Sequence, residues 1–389
     1  MKYITDPKSG KELSVLGFGC MRLPQDRDKA EKLVVRAVQA GINYFDTAYL
    51  YGNSEVTLGT ILEKNTLREK INIATKIPHR RCKKYDDFDL LFNEQCTRLK
   101  TDYIDYYLIH NIGDLKSWER LCEIGIEKWI SDKKSKGKIS QIGFSFHGPQ
   151  NEFMRLLEAY DWDFCQIQYN YLDEHFQAGR AGLEKAYSIG LPVIIMEPLL
   201  GGKLATGLPK KAAKHFKDVN PERSYAEWAL MWLWNQPGIT VVLSGMNNAE
   251  QLEENLITAA TANPGMLTKE ENAVFLPVME AIRESYKVPC TGCNYCMPCP
   301  HGVNIPGCFA AYNTKSAMGL IPGMTQYVTS TGANHPQKRA RAKYCVSCGA
   351  CVRKCPQQID IPKMLAEVDK KVETPLVRLG IRLIQKITP

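Results

Sequence analysis

Over about the first 260 residues, short runs rich in β-branched and aromatic residues alternate with amphipathic stretches. Eight runs predict strands: Val15–Gly19, Asn43–Asp46, Ile71–Lys76, Ile104–His110, Ile139–Ser145, Phe164–Gln168, Val193–Met196 and Thr240–Ser244. The stretches between them read as helices. Ala30–Ala40 shows the pattern, with apolar residues at helical spacing and Gly41 as a stop. Strand then helix, eight times over roughly 250 residues, is the arithmetic of a (β/α)8 TIM barrel. A doubly wound open sheet would carry a glycine-rich phosphate loop after its first strand. Gly17-Phe-Gly19 is too short for one, which favours the barrel.

Barrel chemistry sits where strands end. The second strand ends in Asp46 with Tyr51 in its loop, the third in Lys76, the fourth in His110 and the fifth in Ser145, and the sixth carries Gln166. Each alone has a plain explanation: a strand-end histidine is usually structural and a single lysine solvated. Together they make an acid–base set, with an acid, a cation that favours its ionised form and a carboxylate that holds the cation.

The alternation then stops. Residues 266–287 read as a connecting segment with a helix from Lys269, residues 288–370 as a cysteine module, and residues 371–389 as a basic amphipathic tail, leaving 1–265 to the barrel. The tail is a packed terminal helix or a surface-docking one. Cysteine spacing dominates the module. Cys345, Cys348, Cys351 and Cys355, with Pro356, follow the C-x2-C-x2-C-x3-C-P spacing of bacterial ferredoxins. Cys290, Cys293, Cys296 and Cys299, with Pro300, repeat it with only Met297 and Pro298 between the last two cysteines.

Three thiolates two residues apart can wrap one iron–sulfur cube, and the Cys before Pro reaches the other cluster in two-cluster ferredoxins. The expectation is two 4Fe-4S clusters with exchanged fourth ligands. Cys290, Cys293 and Cys296 would join Cys355; Cys345, Cys348 and Cys351 would join Cys299. The short spacer leaves two alternatives open, Cys308 in place of Cys299 and a single cluster in the second run. Zinc fits crowded triplets poorly, since its sites need well-separated pairs. Disulfides would need an oxidising compartment, whereas the first residues have no apolar secretory core, which points to the cytoplasm.

Composition changes little in this picture. The 389 residues suit two domains, and no run approaches the ~20 apolar residues of a membrane helix. A net charge of +8 favours anionic substrates weakly and does not imply nucleic acid. Cys20, Cys82, Cys96, Cys122 and Cys165 show no metal spacing and read as single thiols. Two basic runs stand out. His79–Lys84 is a solvated loop or an anion-reading rim. Gln337–Lys343 could dock an acidic redox protein, with a solvated stretch as the plainer reading.

Over residues 10 to 260 or so the chain resembles the aldo/keto reductase family, and the whole resembles its branch with a C-terminal ferredoxin-type domain. The matching motifs are Phe45–Gly52, Ile73–Lys76, Tyr107–His110, Ile142–Ser145, Gln166–Asn170, Glu197–Leu204 and Ser244–Asn255. The resemblance implies that Tyr51 protonates a carbonyl oxygen as hydride arrives, Lys76 favours its phenolate, Asp46 aims Lys76, and His110 orients the carbonyl. It implies NADPH or NADH stretched over the barrel mouth, with Ser145 and Gln166 on the carboxamide and Met196 where an aromatic commonly stacks on nicotinamide. Pro198 and Leu199, then Ser244, Gly245, Met246, Asn247, Gln251, Glu254 and Asn255, fall in segments that clamp pyrophosphate and adenosine phosphate. Three departures matter. The family's Ser-Asn pair reads Ser145-Phe146, the stacking aromatic is Met196, and Asn247 stands where a basic residue often grips the 2′-phosphate, which predicts relaxed or NADH-tilted cofactor use.

The function expected is reduction of a small aldehyde or ketone by NAD(P)H, with Fe–S clusters for structure or electron transfer. The alternative is an iron–sulfur electron-transfer component, or ferredoxin-linked oxidoreductase, whose barrel docks a redox protein. Hydride moves two electrons together and a cluster one at a time, and no flavin signature bridges them. A barrel that binds cofactor but turns over poorly is a third reading, opposed by the intact Asp–Tyr–Lys–His set.

Overall fold

The structure, a computed structural model, describes residues 1–333 and 340–375 together with 377, 378 and 381. Most of the predicted tail, and residues 337–339 of the second basic run, lie outside the described residues. The chain forms two compact units, one of residues 1–199 and 226–269 and the other of 200–225 and 270–389.

In the first unit β1 (Tyr3–Thr5) and β2 (Glu12–Ser14) form an antiparallel hairpin. Eight strands follow: β3 (Leu16–Gly19), β4 (Tyr44–Asp46), β5 (Asn72–Ile77), β6 (Ile104–Ile112), β7 (Ile139–Phe146), β8 (Phe164–Gln168), β9 (Val193–Met196) and β10 (Ile239–Ser244). They pair in parallel in sequence order, and β10 closes on β3. Strands buried on both faces read as nearly continuous apolar runs, which is why each stood out in the sequence. Helices wrap them and start on side-chain caps: Asp26 accepts from the backbone N–H groups of Asp28 and Lys29, and Asp114 from that of Ser117.

The two-residue strand period decides what fills the barrel. Tyr44, Ala74, Tyr106, Leu108, Phe164, Ile194, Val241 and Leu243 point inward and pack with Leu13 of the hairpin. Two residues further along their strands come Asp46, Lys76, His110, Gln166 and Met196. An apolar layer thus lies beneath a polar one, and the polar one faces the C-terminal mouth. Below the apolar layer, Asp6 accepts from the Tyr106 hydroxyl at 2.7 Å, and Asp105 bridges Lys11 and Arg68 at 2.9 Å each.

The second unit is mainly helical. It takes in residues 200–225, which a linear reading assigns to the barrel. Within it helix Lys210–Val219 lies on helix Phe275–Ser285, with the Phe216 and Phe275 rings edge to face at 5.5 Å. Helices Ile305–Met318, Leu320–Thr331 and Ile361–Lys371 surround a core of Val288, Val303, Ile305, Phe309, Tyr327, Ile359, Ile361 and Leu365.

The two cysteine runs are irregular backbone but repeat each other closely. Positive φ occurs at Gly292 and Asn294, two and four residues past Cys290, and at Ser347 and Gly349, two and four past Cys345. These left-handed residues turn the chain sharply between thiols. The repeat runs on: Cys299-Pro-His-Gly-Val-Asn-Ile-Pro306 matches Cys355-Pro-Gln-Gln-Ile-Asp-Ile-Pro362. Asn304 and Asp360 then cap the helices that follow, each with Pro in the first turn.

Candidate functional sites

Lys76 is 1% exposed, and its ammonium donates to both Asp46 oxygens at 2.6 and 2.7 Å and to the Thr47 carbonyl at 2.7 Å. Burial lowers the Lys76 pKa and the Asp46 charge opposes that fall. A buried ammonium with three acceptors is fully hydrogen-bonded. The half-buried Tyr51 ring lies 5.0 Å from its Nζ and meets the His110 ring edge-on at 5.8 Å. Burial, and after it the Lys76 charge, hold His110 well below the ordinary histidine pKa. It is therefore a neutral imidazole with one N–H to donate. The structure thus brings Asp46, Tyr51, Lys76 and His110 together.

Of the residues expected at a nicotinamide carboxamide, Gln166 is 1% exposed and donates from Nε2 to Asp46 at 2.8 Å. Its amide oxygen is buried and meets no donor among the described residues. An orphaned acceptor in a polar layer is costly unless a ligand N–H completes it, so the site fits a primary amide. Ser145 Oγ accepts from the Asn111 backbone at 2.8 Å. Phe146 packs outward on Phe153 at 5.0 Å and does not reach the mouth. Met196 is half-buried above Ile194.

At the β10–β3 seam Ser244 accepts from Asn255 at 2.9 Å, and Asn248 caps helix Ala249–Thr261. Gly245 and Asn247 are exposed there and Met246 is buried, while the Asn247 N–H is taken by Gln251 Oε1 at 3.0 Å. Gln251 is exposed and Glu254 half-buried. Pro198 is buried and Leu199 half-buried, just before the segment that belongs to the other unit.

The sequence reading missed two side chains at the mouth. Arg22, in the turn after β3, is exposed, with Nη1 3.9 Å from where a Gly245 Cβ would stand. His147 follows β7 and pairs with Gln177 at 3.1 Å, which continues to Gln168 and Asp173. Their sequence signal was only adjacency to a strand end. In the first basic run His79 is buried, while the Arg120 guanidinium holds the His79 and Cys82 carbonyls at 2.9 and 2.8 Å. Arg80, Arg81, Lys83 and Lys84 are exposed.

In the second unit the cysteines line two small cavities. Cys290, Cys293, Cys296 and Cys355 line one, and Cys299, Cys345, Cys348 and Cys351 the other. Ile305 lines both. Each cavity thus takes three thiols from one run and the thiol before proline from the other. Among the described residues no His, Cys, Asp and Glu group converges tightly enough for a single metal ion. Zinc–thiolate bonds of about 2.3 Å would demand a tighter cluster, whereas spaced thiols around a cavity suit a cube. Cys308, the alternative ligand, lines neither cavity; it is buried, with its thiol directed to the Ala340 carbonyl at 3.7 Å.

A strand-end cluster of Asp46, Lys76, His110 and Tyr51 thus tops a filled parallel barrel, and the chain adds a unit with two thiol-lined cavities. The model of the aldo/keto reductase family matches residues 15–264, so the chain belongs to the aldo/keto reductase family, whose members are NAD(P)H-dependent oxidoreductases. A 4Fe-4S dicluster domain matches residues 289–359. Uncharacterized oxidoreductase YqkF of Bacillus subtilis is 28% identical over 68% of this chain and 92% of its own length. 6-dehydroglucose reductase of Novosphingobium aromaticivorans is 28% identical over 63% of this chain and 86% of its own. Among solved structures, aldo-keto reductase AKR11C1 from Bacillus halodurans in its holo form superposes with a TM-score of 0.60 at 25% identity, covering 72% of this chain and 96% of its own. Among the described residues no helix is long and apolar enough to cross a membrane.

Proposed function

We propose that the barrel reduces a small aldehyde or ketone, with Tyr51 as proton donor, and that the second unit holds two 4Fe-4S clusters. The observation that carries the first part is the Lys76 ammonium buried between Asp46 and the Tyr51 ring. A bound NAD(P)H supplies the hydride. The chain does the rest. His110, held neutral, donates its N–H to the carbonyl oxygen and orients it. The Tyr51 hydroxyl gives its proton to that oxygen. Lys76 stabilises the negative charge left on the phenol oxygen, and Asp46 keeps Lys76 aimed. Gln166 offers its unpaired amide oxygen to the carboxamide N–H, and Ser145 stands beside it in register on the neighbouring strand. Pro198, Leu199 and the Ser244–Asn255 segment would hold the remainder of the dinucleotide.

Two clusters are favoured over one because the thiols divide four and four between two cavities. The ligand sets are those expected from spacing, Cys290, Cys293, Cys296 and Cys355 for one cluster and Cys345, Cys348, Cys351 and Cys299 for the other.

Anaerobically purified protein tests both parts. Tyr51→Phe should cut kcat for carbonyl reduction by ~10²-fold or more with dinucleotide binding kept; a near-normal rate removes Tyr51 from the chemistry. Iron should stand at about eight per chain, and Cys355→Ser should take it from the Cys290 cluster while leaving the Cys345 one. A second reading, a ferredoxin-linked oxidoreductase, is favoured by the exposure of Cys348. Bound flavin, with midpoint potentials too low for NADH to reduce the clusters, would select it.

A further inference from the structure

The two cysteine runs repeat each other, but their surroundings differ. Thr291, after the first cysteine of the first run, is 3% exposed, whereas Val346, its counterpart after Cys345, is 59% exposed. Cys293 is half-buried, whereas its counterpart Cys348 is the one exposed cysteine among the described residues. The first run is also covered: Lys203, from the segment that leaves the barrel after β9, donates to the Cys290 carbonyl. Val346 and Cys348 stay exposed. The second run is therefore the more exposed of the two at these positions.

Charge divides the same way. Between residues 340 and 359 the chain has no Asp or Glu and four cations. Arg341 is turned inward, 3.6 Å from the buried Glu373, which also accepts from the Tyr327 hydroxyl at 2.6 Å. It therefore drops out of any docking role for the 337–343 run. Lys343, Arg353 and Lys354 are exposed. The corresponding stretch of the first run, 285–304, carries Lys287 alone, with His301. Val352 is 37% exposed beside the second group of cations. The second run thus carries two exposed apolar residues, three exposed cations and the most exposed thiol within twelve residues of chain. Transient redox encounters use small interfaces, and charge steers them. Electron transfer falls steeply with distance, so a carrier must seat where a cluster comes nearest the surface.

We propose that Lys343, Val346, Cys348, Val352, Arg353 and Lys354 form the docking and electron-entry face for a small acidic one-electron carrier protein of the ferredoxin class. The step is a single-electron exchange. The carrier's reduced centre is oxidised, the cluster held by Cys345, Cys348, Cys351 and Cys299 is reduced, and no bond forms or breaks. The inference rests on the cluster reading above and extends it to a partner.

The test uses the full, iron-loaded chain and an acidic plant-type ferredoxin as probe. Stopped-flow electron exchange between the reduced ferredoxin and the protein should be fast at low salt and slow steadily as salt rises. Arg353→Glu with Lys354→Glu should lower its second-order rate about tenfold or more. Lys29→Glu with Lys32→Glu, the same charge change on the exposed side of helix Arg27–Gln39, should stay within about twofold. Reduction by methyl viologen, which needs no docking, should be equal in all three, showing intact clusters. Val346→Asp should also slow exchange with iron content unchanged. Equal rates in the Arg353/Lys354 variant and the wild type overturn the proposal, as do rates that rise with salt. Binding to anionic phosphatidylglycerol vesicles without ferredoxin exchange overturns it in favour of a lipid surface. Protein that purifies without iron, or that methyl viologen fails to reduce, overturns the cluster reading itself.

Discussion

The barrel and the cysteine unit assemble their centres in opposite ways. The barrel gathers Asp46, Lys76, His110 and Gln166 from four strands spread over 120 residues of sequence, one residue from each. Their meeting depends on strand pairing and on the two-residue alternation that puts each directly above an apolar core residue. The cysteine unit draws its thiols from two runs of ten and eleven residues, and its shape comes from local turns at Gly292, Asn294, Ser347 and Gly349. The first arrangement stands on a large apolar core. The second surrounds cavities that a core does not fill.

That difference predicts where stability comes from, and the tryptophans make it measurable. All six, Trp118, Trp129, Trp162, Trp228, Trp232 and Trp234, lie in the barrel unit, so their emission reports the barrel alone. Visible charge-transfer absorbance reports the clusters. Stripping iron with a chelator should abolish that absorbance and unfold the cysteine unit, since binding energy at a structural metal site, on the order of 10 kcal/mol, is folding energy. Tryptophan emission should hardly move. Emission that collapses along with the absorbance would show that the barrel leans on the iron, and the contrast would fall.

Within the barrel the strongest single perturbation is Lys76→Met. It leaves Asp46 charged and buried, at a cost of roughly 3–5 kcal/mol, and should lower kcat by ~10³-fold. Adding Asp46→Asn removes the stranded charge and should recover most of the stability without the rate, as read by denaturant melts against steady-state turnover. A double variant that recovers turnover would mean that the ammonium serves the fold and not the chemistry.

Burial at the mouth also makes the barrel sensitive to acid. Burial, with the Arg80 and Arg120 charges behind it, lowers His79 to about 4; burial, with Lys76 and against the Gln177 hydrogen bond, lowers His147 to about 4. Both values lie below the unfolded value of about 6.5. Between those limits the unfolded chain binds protons that the native one does not, so stability is full above pH 6.5 or so and is lost as pH falls toward 4. The slope should be roughly 1.4 kcal/mol per pH unit for each histidine. Tryptophan-monitored melts should show it, and His79→Asn with His147→Gln should reduce it by the share of those two, leaving that of His110. An unchanged slope would move the titration to other groups.

How much of this was legible beforehand follows from the same contrast. The eight strands appear within a residue or two of the runs that predicted them, because strands buried on both faces must be apolar along their length. Asp46, Lys76 and His110 were legible as polar exceptions at the ends of such runs, and Tyr51 as the aromatic in the loop after the first of them. The cysteine spacing was legible because short-range turns need no tertiary context. Arg22 was not, since its meaning depends on β10 closing against β3, a contact between residues more than two hundred positions apart. Lys203 falls in the Glu197–Leu204 segment of the family resemblance, yet its ammonium meets the Cys290 carbonyl. The excursion of residues 200–225 into the second unit leaves no periodicity signal.

Arg22 carries the smallest of these effects and the one that bears on cofactor choice. Asn247 offers no cation at the adenosine-phosphate segment, which by itself predicts indifference to the 2′-phosphate. Arg22 reaches toward the same loop from the other side of the seam, and Gly245 has no side chain to block it. If Arg22 grips the 2′-phosphate, the protein should prefer NADPH. Arg22→Ala should then weaken NADPH by about 1.5–3 kcal/mol, the range of one hydrogen bond to a charged group, and leave NADH nearly unchanged. Fluorescence titration of both dinucleotides, at fixed ionic strength, reads the difference. Equal losses for the two would place the guanidinium on the pyrophosphate they share. No loss for either would leave Arg22 a solvated rim residue and restore the indifference that Asn247 predicts.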